Sequence, residues 1–128
     1  MKKKFKLLSC AFLLAACGGC AVNSGVLQAK DNKSFFEGAA YEGETKILAE
    51  DKTGSEQYRV FQQAATGYIP TSVVRDECEQ QANKHCESLG KSVKLLQERT
   101  SVPPHILGNF PRAELLFICL PKIDISKN

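Results

Sequence analysis

The sequence predicts an α+β fold: a small split β-α-β-β domain with one helix packed on a three-stranded sheet, open to a fourth edge strand and stapled by a disulfide. Three observations predict it. Residues 72–89 carry an apolar stripe at helical spacing, and strand-like runs lie on both sides of it. Cysteines also fall near the end of the helix and near the end of the last strand.

Residues 1–16 have the make-up of a removed targeting segment, and 17–45 read as a flexible tether. Gly18, Gly19, Ser24, Gly25, Asn32, Gly38 and Gly43 punctuate the tether, and no periodicity is sustained across it. As a free coil it would span roughly 30 Å root-mean-square. Phe35 and Phe36 interrupt this polar stretch and give part of it a means to dock. The domain proper is expected over 46–125, with a frayed tail at 126–128. Thr45 to Ala49 is the candidate fourth strand, at an edge.

Tyr58 to Ala64 is rich in strand formers and is stopped by Gly67 and Pro70. The helix follows from Ser72 to Leu89. Thr71 or Ser72 can cap it, Asp76 and Glu77 suit its early turns, and Gly90 supplies a left-handed stop. Val74, Cys78, Ala82, His85, Cys86 and Leu89 share one stripe, so that face belongs to a core. Ser92 to Glu98 makes a second strand, and the almost wholly apolar run Ala113 to Leu120 makes a third, ended by Pro121. A helical crossover makes the first two strands parallel. The third, being the most apolar, is then best placed antiparallel between them; the alternative is a plain hairpin of the second and third strands with the first at the far edge.

The amino terminus names a location. Lys2, Lys3, Lys4 and Lys6 precede a short apolar run that ends in Leu14-Ala15-Ala16-Cys17. A basic start, a short apolar centre and small residues before the cut describe a secretory signal peptide, far short of the ~20 apolar residues that span a bilayer. The tetrapeptide resembles the lipobox of bacterial lipoproteins. The resemblance implies that Cys17 is acylated, that the chain is cut before it, and that the mature protein is held on the lipid bilayer. Gly18, in place of an inner-membrane-retaining Asp, implies an outer-membrane position facing the periplasm. Cys20 lacks the large aliphatic residue three places upstream that a lipobox needs.

Removal of the signal changes the charge. The chain has 17 Lys and Arg against 14 Asp and Glu, and four of the lysines lie in residues 1–16. The mature part therefore carries 13 minus 14, or −1, and the case for nucleic acid as a partner loses its main support.

In an exported chain Cys20, Cys78, Cys86 and Cys119 read first as disulfide partners, and four thiols allow three full pairings. In the central-strand topology, with the helix running along the third strand, geometry points to Cys86–Cys119. Along the helix from Ser72, Cys86 lies ~21 Å from the start and Cys78 ~9 Å. Along the strand from Ala113, Cys119 lies ~20 Å from the start. Cys119 is thus level with Cys86, which leaves Cys78 as a buried thiol or as a partner for Cys20.

Nothing specifies catalysis, a cofactor or a metal. Cys78 and His85 share a helix face but sit ~10.5 Å apart along it, too far to chelate one ion together. His105 lies in a proline-rich loop with no assigned thiol partner, and phosphate loops and hydrolase motifs are absent from the sequence. No small-molecule substrate is evident.

The loop Ser101 to Arg112 is long for a connection and so a candidate for function. Ile106, Leu107, Phe110 and Arg112 are its candidate contacts for an envelope protein. In the plainer reading Ile106, Leu107 and Phe110 fold back to cover the open sheet face.

The window from Tyr58 to Leu120, with Cys86 near the helix end and Gly108-Asn109-Phe110-Pro111-Arg112 leading into a strand that ends at Cys119, resembles small uncharacterised proteobacterial lipoproteins. That resemblance implies no activity. The layout of a tethered, disulfide-stapled α+β domain is also similar to the stress-sensor lipoprotein of the Rcs phosphorelay, although the cysteine spacing differs. The leading expectation is a non-enzymatic lipoprotein that binds an envelope protein or plays a structural role; the alternatives are a stress or redox sensor whose cysteines change state and, behind it, a degenerate enzyme or inhibitor module.

Overall fold

The computed structural model describes residues 21–123. The expected lipobox, Cys17, Cys20 and the tail at 126–128 lie outside the described residues. The strands are β1 (Val22–Gln28), β2 (Glu44–Ile47), β3 (Gln57–Gln63), β4 (Lys91–Thr100) and β5 (Arg112–Pro121), and the helix α1 is Thr71–Ser88. They form a small α+β domain whose sheet runs β1-β3-β5-β4-β2, every neighbouring pair antiparallel.

The split unit is present as expected: β3, α1, β4 and β5 follow in sequence, and β5 lies between β3 and β4. Its central place follows from its composition, since Ala113, Leu115, Phe117 and Cys119 are buried on one face and Glu114 and Ile118 on the other. The strand count is corrected to five. Glu44–Ile47 supplies the expected fourth strand at the β4 edge, and the fifth, β1, arises within the stretch read as tether.

β1 escapes a sequence reading because it is bulged. Its register shifts between Asn23 and Val26, with Gly25 at a φ of 65°. The Phe61 amide donates to the Ser24 hydroxyl at 2.9 Å, and the Gly25 amide to Asn23 Oδ1 at 2.8 Å. Side chains thus take over pairing that a regular strand would leave to carbonyls.

Pro70, with no side-chain bond, stands at the amino end of α1, where Thr71 or Ser72 was expected to cap it. The helix is held by its buried face instead: Val74, Cys78, Ala82 and Cys86 pack on Val60, Leu115 and Phe117. Leu89 turns outward beyond the last turn, and Gly90 stops the helix at a φ of 67°.

The other sheet face is covered by residues 29–43, not by the Ser101–Arg112 loop. Phe36 is completely buried there, edge-on to Phe61 at 5.9 Å, while Phe35 stacks on the same ring at 4.7 Å. The guanidinium groups of Arg99 and Arg112 lie 5.3 and 4.7 Å from the centre of the Phe36 ring. Buried Glu114 binds Arg59 at 2.8 Å and accepts the Phe35 amide at 2.7 Å. Backbone carbonyls accept from both guanidinium groups, Arg112 giving to Tyr41 at 2.9 Å and Arg99 to Glu42 at 3.0 Å. Gly43 closes this strap. A side chain there would meet the Thr100 carbonyl and the Phe36 ring, and its φ is 71°.

Candidate functional site

The strand registers gather one end of the domain. Val22 pairs with Gln63, Gln63 with Arg112, and Thr100 with both Ala113 and Glu44. The chain therefore enters the sheet at the end that carries the loops 64–70 and 101–111. Gly67 locks these loops together, because a Cβ on it would lie 2.5 Å from the His105 carbonyl oxygen. The Ala64 amide also donates to Pro111 at 2.8 Å.

The Ser101–Arg112 loop is braced from within. The Asn109 side chain donates to the carbonyls of Val102 (2.8 Å) and Pro104 (2.9 Å), and its amide donates to Ile106 at 3.0 Å. Ser101 Oγ accepts the Arg112 amide at 2.9 Å and lies 3.0 Å from His105 Nε2. The Tyr41 hydroxyl reaches across to the Leu107 carbonyl at 3.1 Å.

The four candidate contact residues of this loop are split. Ile106 and Leu107 stand out at its tip, 60 % and 88 % exposed. Phe110 is half-buried, and Arg112 is buried against Phe36. The Arg112 guanidinium is therefore spent inside the fold, where burial and then the neighbouring charge of Arg99 push its pKa down. Sequence reasoning missed Tyr68, in the adjoining loop, which is 97 % exposed. Its signal was a large aromatic between Gly67 and Pro70, two residues that stop regular structure.

The cysteines divide as the spacing predicts. Cys86 and Cys119 form a disulfide with Cα atoms 5.3 Å apart, at the other end of the sheet from His105. Cys78 is a free, fully buried thiol that lies 3.5 Å from the Ala113 carbonyl. Burial, with the nearby carboxylates of Glu77 and Glu114, pushes its pKa up to about 12. A thiol held protonated and out of solvent is neither nucleophile nor metal ligand at neutral pH. Half-exposed His85 packs edge-on against the Tyr58 ring at 4.4 Å. Among the described residues no three His, Cys, Asp or Glu side chains gather as a metal site, and no helix is long and apolar enough to cross a membrane.

Cys78 yields a pH prediction. Its folded pKa lies above the 9.0 of a free thiol, so its contribution is full below pH 9 and is lost as pH rises toward 12. Relative to Cys78→Ala, the wild-type domain should lose about 1 kcal/mol of stability per pH unit across that window. Native protein should also resist iodoacetamide at Cys78 at pH 8 and react once unfolded. Ready alkylation of the folded protein would refute the burial argument.

No family model matches the chain, and no curated protein or solved structure matches it.

Proposed function

We propose that this is a bacterial lipoprotein, held in the outer membrane by acylated Cys17 and facing the periplasm, with a non-enzymatic domain that binds an envelope protein or plays a structural role. The observation that carries the reading is the Cys86–Cys119 disulfide within the domain core. Such a bond persists in an oxidising compartment, the destination that the signal segment and the Leu14-Ala15-Ala16-Cys17 lipobox address. A protein partner has two open strand edges to pair with, the outer sides of β1 and β2.

The second reading is a stress or redox sensor, which needs a labile thiol pair. Complete burial of Cys86 and Cys78, and near-complete burial of Cys119, weigh against it. Counting free thiols in intact cells with and without reductant separates the two. A disulfide that turns over under mild reductant, with the domain still folded, would favour the sensor.

Cys17→Ala should abolish fatty-acid labelling and leave the precursor uncut. A variant that still takes up label would move the anchor to Cys20. Cross-linking in living cells, with the attached protein identified by mass, tests the binding role.

A further inference from the structure

We propose that the end of the domain bearing the uncharged loops 64–70 and 101–111 rests on the bilayer that holds the Cys17 acyl chains, with Tyr68, Ile106 and Leu107 seated at the headgroup level. The inference rests on acylation of Cys17 and adds an orientation and a second, non-covalent lipid contact.

Chain length sets the height of this end. Residues 18–21 alone separate Cys17 from Val22, where β1 begins. Fully extended, that stretch places Val22 at most ~18 Å from Cys17. The headgroup layer of one leaflet takes up roughly 5–8 Å of this reach. The end that bears loops 64–70 and 101–111 is therefore held at the lipid surface, and the far end of the seven-residue β3 stands ~20 Å further out.

Composition matches that position. Charged residues make up 24 % of the chain, yet neither loop contains an Asp, Glu, Lys or Arg, and none occurs from Cys17 to Ala29. The opposite end is charged, with Glu50, Asp51, Lys52 and Glu56 in the β2–β3 connection. A tip that faced water would expose charges. One that faces a membrane interface exposes aliphatic groups and the amphipathic ring of a tyrosine.

Side-chain placement completes the argument. Tyr68, Ile106 and Leu107 are the most exposed apolar groups at this end, and Ile69, Val73 and Val102, in the same loops and the first turn of α1, are also exposed. The hydrogen bonds of Asn109 and the Gly67–His105 contact keep these tips from folding inward. Glu42 and Glu44, on the β2 margin of the same end, mark the side that tilts toward water. Because the anchor already confines the domain, a weak interfacial contact is enough to hold its orientation.

The chain has no tryptophan, so single tryptophans report position without background. The mature lipidated protein carrying Tyr68→Trp or Leu107→Trp, reconstituted in phosphatidylcholine vesicles with brominated acyl chains, should lose about half its fluorescence to quenching and shift to the blue. Leu89→Trp, exposed beyond the last turn of α1 at the opposite end, should remain unquenched. Adding Ile106→Glu to Tyr68→Trp should release the quenching. If Tyr68→Trp and Leu107→Trp quench no more than Leu89→Trp while Cys17 is acylated by mass, docking is overturned and the anchor stands. Absence of acyl groups on Cys17 overturns both. Shielding of the two reporters in whole envelopes but not in pure lipid would assign the surface to a protein partner and overturn the lipid contact.

Discussion

Phe36→Ala is expected to lower the stability of the domain by about 3–5 kcal/mol, the range for truncating a buried aromatic in a well-packed core. Phe36 is wholly buried, and its ring is the surface on which Arg99 and Arg112 rest. Its removal leaves a cavity under the strap and strips two partly desolvated guanidinium groups of a cation–π partner worth about 0.5–2 kcal/mol each. The two losses overlap and do not add. At ordinary urea sensitivities, the midpoint should fall by roughly 1–3 M with little change in slope. Phe35→Ala, whose ring is partly exposed, should cost about 1 kcal/mol, chiefly the stacking on Phe61. If Phe36→Ala unfolds within 1 kcal/mol of the wild type, residues 29–43 are a free tether in solution, and the strap is wrong.

Replacing both Cys86 and Cys119 with alanine is expected to destabilise the domain by about 3–4 kcal/mol, as the chain-entropy model gives for a loop of this length. The bridged residues are 33 apart in sequence and join the end of α1 to the end of the central strand. In a domain this small, that loss is comparable to the ~3–5 kcal/mol that such a core supplies alone. The double variant leaves no thiol orphaned by loss of the bridge to confuse the result; Cys78 is unpaired in both proteins. Cys78 should not rescue either single variant, since it faces Ala113 near the start of β5 while Cys119 lies near its end. Denaturation of the double variant, and peptide mapping of Cys86→Ala without reductant, check the two statements. A Cys78–Cys119 peptide in the mapping would show that α1 slides along β5, contrary to the observed packing.

Much of this architecture was legible because its signals are local. The buried stripe Val74, Cys78, Ala82 and Cys86, the apolar run of β5 and the stop at Gly90 each declare themselves within a few residues. The Cys86–Cys119 pairing could be reached by counting rises along the helix and the strand, because β5 lies where the most apolar strand should lie. The proposed targeting signal and lipobox rest on short contiguous patterns of the same kind.

What only the tertiary structure decided depends on partners distant in sequence. Asn23-Ser24-Gly25 has the composition of a turn, and it becomes strand because the Phe61 amide finds the Ser24 hydroxyl. The strap has no period of its own, since its bonds run to Glu114, 79 residues beyond Phe35, and to Arg112, 71 residues beyond Tyr41. For the same reason Arg112, chosen as a contact residue from its place in a loop, proved to be buried. The end formed by the two uncharged loops was likewise hidden. Loops 64–70 and 101–111 are unremarkable when read apart, and only the pairing of β3, β4 and β5 sets them side by side at the point where the chain enters the sheet. Sequence patterns reveal a face when its period is local. They do not reveal which distant segments share an end, because strand order and register across the whole sheet determine that.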